Sequence, residues 1–127
     1  MPIYFRSDDK PVIELDPTLE LSPFILFRRL TEGRSLVLVD VRKTPTPLTL
    51  QGAIDLPTPG WEPPDDTEVL LFDDDGRDAV ELARALQARG FARVRALFGG
   101  LQLYEFSLDP EVVGQQTFLV PATGKAD

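Results

Sequence analysis

Apolar and polar positions along this chain alternate between short buried runs and amphipathic stretches. "SLVLVDV" (Ser35–Val41) and "EVLLF" (Glu68–Phe72) are nearly continuous apolar runs, as expected of strands covered on both faces in a parallel sheet. "RVRAL" (Arg93–Leu97) reads as a further strand, and a short one is expected around "AIDLP". The spacing predicts a helix over Arg77–Arg89, because Ala79, Leu82, Ala83 and Leu86 recur at i, i+3, i+4 and i+7. Asp78 and Glu81 in its first turn and Arg89 in its last suit the helix dipole, and Gly90 ends it. "LSPFILFRRLTEG" predicts an earlier helix. Ser22 is its N-cap, Pro23 its first residue and Gly33 its stop, with Phe24, Phe27 and Leu30 on one apolar face.

The rest is less regular. Arg42 to Asp66 holds six of the twelve prolines, too many for a long element. Met1 to Pro17 contains two extended pieces, "PIYF" and "PVIEL", around the turn-like "SDDKP", the pattern of a hairpin. From Ser107 onward the tail reads as irregular. The expected architecture is one α/β domain on a mostly parallel sheet, with residues 1–20 and 107–127 as extensions. Asp40 and Asp73 then fall at the carboxyl ends of strands, where open α/β sheets carry their sites.

Composition narrows the chemistry. The 127 residues include no cysteine and no histidine. Thiolate nucleophiles, disulfides, Cys/His zinc sites and imidazole bases are therefore excluded. Any catalysis would have to run on carboxylates, with Mg²⁺ or Ca²⁺ as the metals such oxygens favour. No apolar run approaches a membrane span, and the first residues lack a signal-peptide pattern, so the expected location is the cytoplasm.

The formal charge is −8, and the stretch Asp65–Glu81, with eight acids and one arginine, carries −7 of it. That balance argues against nucleic acid or an anionic membrane as partner. It also concentrates the acidity on "VLLFDDDGRDA", a strand–loop–helix junction of the kind that usually binds anions.

In order and spacing, several segments together resemble the rhodanese-like family. They are "LSPFILFRRLTEGRSLVLVDVR", "GAIDLP", "VLLF" and "ALQARGFARVRALFGGLQLY". The resemblance rests on Asp40-Val41-Arg42, Gly52 to Pro57, Gly90-Phe91, Gly99-Gly100 and Tyr104. It spans Leu21 to Tyr104 and implies a three-layer α/β fold over residues 21–106, a central five-stranded sheet flanked by helices. The family's catalytic loop, Cys-x-x-Gly-x-Arg-Ser, lands on Asp73-Asp74-Asp75-Gly76-Arg77-Asp78-Ala79. Only the glycine matches. Asp73 stands at the position of the nucleophilic cysteine, Asp78 at that of the arginine and Ala79 at that of the serine. The resemblance thus implies the fold and withholds sulfurtransferase activity.

Three uses of the loop remain open from the sequence. In the first, Asp73 accepts N–H bonds from its own loop and Asp75 and Asp78 are capping or solvated acids. In the second, Asp73, Asp75 and Asp78, with Asp74 and Asp40 nearby, hold Mg²⁺ or Ca²⁺. The third is a Mg²⁺-dependent hydrolase, because "LLFDDDG" also resembles the first motif of haloacid-dehalogenase-like phosphatases. Asp73 would then be the nucleophile and Asp75 the acid/base, although Arg77 replaces that family's threonine and Lys125 is the only lysine after Phe91. Asp40 and Arg42 read as a pair bracing the loop. The function expected is a non-catalytic binding or regulatory module. Its loop, Asp73 to Ala79, would meet a protein partner with a basic surface, and the terminal extensions could join two copies.

Overall fold

The computed structural model describes residues 15–42, 48–55, 61–63, 67–108 and 117–121. The hairpin expected near the amino terminus and the acids Asp65 and Asp66 lie outside the described residues. Seven strands and three helices are described: β1 (Glu20–Leu21), α1 (Pro23–Thr31), β2 (Val37–Asp40), β3 (Leu48–Leu50), β4 (Ile54–Asp55), β5 (Val69–Phe72), α2 (Arg77–Ala88), β6 (Val94–Leu97), α3 (Gly100–Ser107) and β7 (Leu119–Pro121). Five strands form a sheet in the order β1-β6-β5-β2-β4, and every pairing in it is parallel. No helix among the described residues is long and apolar enough to cross a membrane.

The continuous apolar runs follow from layering. Leu38, Leu70, Phe72 and Leu97 point to one side, where they pack with Leu26 of α1 and Leu101 and Tyr104 of α3. Val39, Val69, Leu71, Val94 and Ala96 point to the other side, against Ala79, Ala83 and Leu86 of α2. Alternate residues of β2 and β5 thus serve opposite cores, and neither face of β5 is left polar.

The two predicted helices form with their expected ends. The Ser22 hydroxyl accepts the N–H of Ile25, and Pro23 opens α1. The apolar face of α1 is rotated from the expected one: Leu26 is fully buried, while Phe24 is 60% exposed. Phe27 and Leu30 pack against the core from its margin. Trp61 packs beside the α2-side core.

Three elements depart from the sequence expectation. Glu20 and Leu21 pair with Ala96 and Leu97, so the sheet includes Glu20, within the stretch expected as an extension. Gly100 opens a helix that the sequence pattern does not predict. The tail is not wholly irregular, because β7 pairs antiparallel with β3, placing Leu48 opposite Pro121 and Leu50 opposite Leu119.

Candidate functional site

Strand β2 ends at Asp40 and β5 at Phe72, directly opposite each other in the sheet. Asp73 therefore leaves the sheet beside Asp40, and the chain turns through Asp74, Asp75 and Gly76 into α2. Gly76 is the N-cap of that helix, with φ of 90°. Having no side chain, it cannot cap the helix itself.

Asp73 supplies the cap. Its Oδ1 accepts the Gly76 N–H at 2.6 Å, and its Oδ2 accepts those of Asp78 at 2.9 Å and Ala79 at 3.2 Å. The residue is only 5% exposed. Its carboxylate thus fills the cradle of amides that an external anion would use. Side-chain caps of this type stabilise by about 0.5–2 kcal/mol. Burial pushes the Asp73 carboxyl above its ordinary value and the neighbouring Asp75 charge adds to this, against three N–H bonds that favour the ionised form.

The loop is gripped from a second side by α3. The carbonyls of Asp73 and Asp74 accept the N–H groups of Leu101 at 2.8 Å and Gln102 at 3.0 Å. This approach requires glycine. A Cβ on Gly100 would lie 2.4 Å from the Asp74 carbonyl carbon, and its φ is +66°.

Arg42 provides the third grip. Its Nε donates to Asp40 Oδ1 at 2.9 Å and its Nη2 to Asp40 Oδ2 at 2.8 Å, a two-pronged pairing. Nη2 also donates to the Leu48 carbonyl at 2.9 Å, and Nη1 to Asp74 Oδ1 at 2.8 Å. The Arg42 backbone N–H and the Thr49 hydroxyl donate to the same Asp40 carboxylate. The Asp40 hydrogen bonds raise the Arg42 pKa further, with Asp74 adding to them against burial. The guanidinium is committed to the protein's own groups on several sides.

Asp75, Arg77 and Asp78 face outward. Asp75 accepts the Arg77 N–H at 3.0 Å and is half-exposed, and Arg77 and Asp78 are exposed. Ala79 is buried against the sheet. The acids of the loop therefore separate: Asp73 turns inward to α2, Asp74 sideways to Arg42, and Asp75 and Asp78 to solvent. Among the described residues no three carboxylates converge as a metal-ligating group. Asp40 and Arg42 are legible as a pair in the sequence, whereas Asp74, Leu48 and Thr49 as their partners are not. The "DVR" at the strand end was the available signal, since residues two apart there share one side of the chain.

No family model matches the chain, and no match is found among the curated proteins. Solved structures do match its fold. A Bacillus halodurans protein aligns at 17% identity over 87% of this chain and 83% of its own, with a TM-score of 0.61. A thiosulfate sulfurtransferase from Pseudomonas aeruginosa aligns at 19% identity over 82% of this chain, with a TM-score of 0.59; the match covers 20% of that larger protein. A rhodanese-related protein from Thermoplasma volcanium aligns at 14% identity over 80% of this chain and 97% of its own, with a TM-score of 0.53. The chain has the rhodanese-like fold, without a cysteine anywhere in its 127 residues.

Proposed function

We propose that this chain is a rhodanese-like domain without sulfurtransferase activity that works as a binding or regulatory module. The observation carrying this reading is the Asp73 carboxylate, held by the N–H groups of Gly76, Asp78 and Ala79. By the resemblance in sequence, that position belongs to the family's nucleophile. A carboxylate there has no sulfur to carry, and it occupies the amides that would stabilise an anionic intermediate. Asp75 and Asp78 on the rim further disfavour an anionic sulfur donor, since like charges ~4 Å apart repel by roughly 4 kcal/mol at an effective dielectric of 20.

The outward acids Asp75, Asp78 and Glu81 support a protein partner with a basic surface, met in the cytoplasm. Such a contact adds on-rate and specificity and weakens with salt. Two measurements test the reading. Purified protein assayed with thiosulfate and cyanide should show no turnover, and measurable turnover would sink the proposal. An immobilised Lys/Arg-rich peptide should retain the wild-type chain at low salt and release the triple variant Asp75→Asn/Asp78→Asn/Glu81→Gln. Equal retention of both would remove the acidic loop from the partner surface.

A further inference from the structure

Strand β3 stands between two things that have no direct contact in sequence: the carboxyl-terminal segment and the acidic loop. On one side β3 has a single strand partner among the described residues, β7. On the other, the Leu48 carbonyl accepts Arg42 Nη2 and the Thr49 hydroxyl donates to Asp40. Arg42 in turn holds Asp74 in the loop. We propose that Thr117–Pro121 is a latch whose docking on β3 sets the rigidity of the acidic loop through Arg42. The inference concerns regulation of the loop surface proposed above and has functional meaning only on that reading.

Several observations give the latch its character. A two-stranded pair three residues long is marginal by itself. Here it is held by a few discrete fasteners. The Tyr104 hydroxyl, buried in the core, donates to the Thr117 carbonyl. The Phe118 carbonyl accepts the Gln51 N–H at 2.8 Å, and the Phe118 ring meets Phe27 edge-on at 6.0 Å between centroids. Phe118 does this at φ of +71°, the one non-glycine residue with positive φ among those described. A side chain with a Cβ resists that conformation, so the segment is strained when docked and relaxes when released. Losing it would deprive β3 of its one strand partner among the described residues and remove the support of the Leu48 carbonyl from Arg42.

Amide hydrogen exchange on the full chain tests the coupling without any partner. Tyr104→Phe removes one fastener and keeps the ring in the core. It should speed exchange at Gly76, Asp78 and Ala79 by about threefold to tenfold, the factor that loss of a neutral hydrogen bond gives. Amides of Val94–Leu97 in β6 should not change. Leu119→Asp, which disfavours docking more strongly, should give the same pattern with a larger factor. Combined with Arg42→Lys, either substitution should add nothing further at the loop. Faster exchange confined to Leu48–Gln51 and Thr117–Pro121 would overturn the proposal. Uniformly faster exchange including β6, or additive effects with Arg42→Lys, would overturn it as well. The outcome is separate from that of the peptide-retention test, since a coupled latch could exist on a loop that binds no basic surface.

Discussion

Arg42 and Asp74 are 32 residues apart in sequence and joined by a 2.8 Å bond from Nη1 to Oδ1. That bond ties the end of β2 to the turn before α2. Arg42 also pairs through two nitrogens with Asp40, and both of those side chains are almost wholly withdrawn from water. Removing one member of such a pair strands the other. Arg42→Ala is expected to cost about 3–5 kcal/mol, the usual penalty for leaving a buried charge alone. Arg42→Lys keeps the charge but loses the planar fork, so its cost should be smaller and still measurable. Urea unfolding of the two variants checks the ranking, and equal stability of wild type and Arg42→Ala would show that the network does not hold the fold.

Asp73 should leave a mark on the pH dependence of stability. Its carboxyl is raised above the ordinary value of 3.8 in the folded chain, chiefly by burial. A group raised on folding contributes stability that is fully present below its unfolded pKa and lost as pH rises through the folded value. The stability of wild type relative to Asp73→Asn should therefore be greater near pH ~4 than near pH ~7. Chemical denaturation of both proteins across that range measures the difference, and other carboxylates largely cancel in it. A wild-type advantage that grows with pH would mean that the three N–H bonds outweigh desolvation.

Much of this site could be read from the sequence, and the missing parts share a cause. The apolar runs ending in Asp40 and Phe72 were legible because burial on both faces leaves no polar position inside them. Asp73 as an acceptor for its own loop was legible because acid followed by glycine and a helix start is a local pattern. The partners Leu48 and Thr49 were not, since they depend on where β3 lies after a proline-rich stretch, and Asp74 was not, since it reaches Arg42 only through the pairing of β2 with β5. Helix α3 was hidden by its opening glycines, which usually argue against a helix. Gly100 is needed there because Asp74 packs against its backbone. Strands β1 and β7 are two and three residues long, too short to show a period.

The Gly100 contact separates two ways in which alanine can be harmful. Gly33 and Gly100 have similar positive φ, +71° and +66°, but a Cβ on Gly33 meets nothing within 4 Å. Gly33→Ala should thus cost only the backbone term of roughly 1–2 kcal/mol. Gly100→Ala adds a clash at 2.4 Å with the Asp74 carbonyl carbon and should cost clearly more. Thermal unfolding of both variants decides it, and equal losses would mean the loop yields easily to α3.

Introducing a thiol alone should not confer sulfur transfer. Asp73→Cys would place a sulfur at the N–H cradle of α2, but Asp75 and Asp78 would still stand beside it. By the resemblance to the rhodanese-like loop, the positions of Asp78 and Ala79 belong to an arginine and a serine. An arginine there would attract an anionic donor, whereas Asp78 repels it. The single variant should therefore show no turnover of thiosulfate with cyanide. The triple variant Asp73→Cys/Asp78→Arg/Ala79→Ser, which changes the rim charge from repulsive to attractive, should show measurable turnover. Ala79 is fully buried, so circular dichroism must first show that the triple variant keeps the fold. Activity in the single variant would mean that the rim acids are no barrier. A folded triple variant without activity would overturn the prediction and mean that a thiol and an attractive rim charge do not suffice.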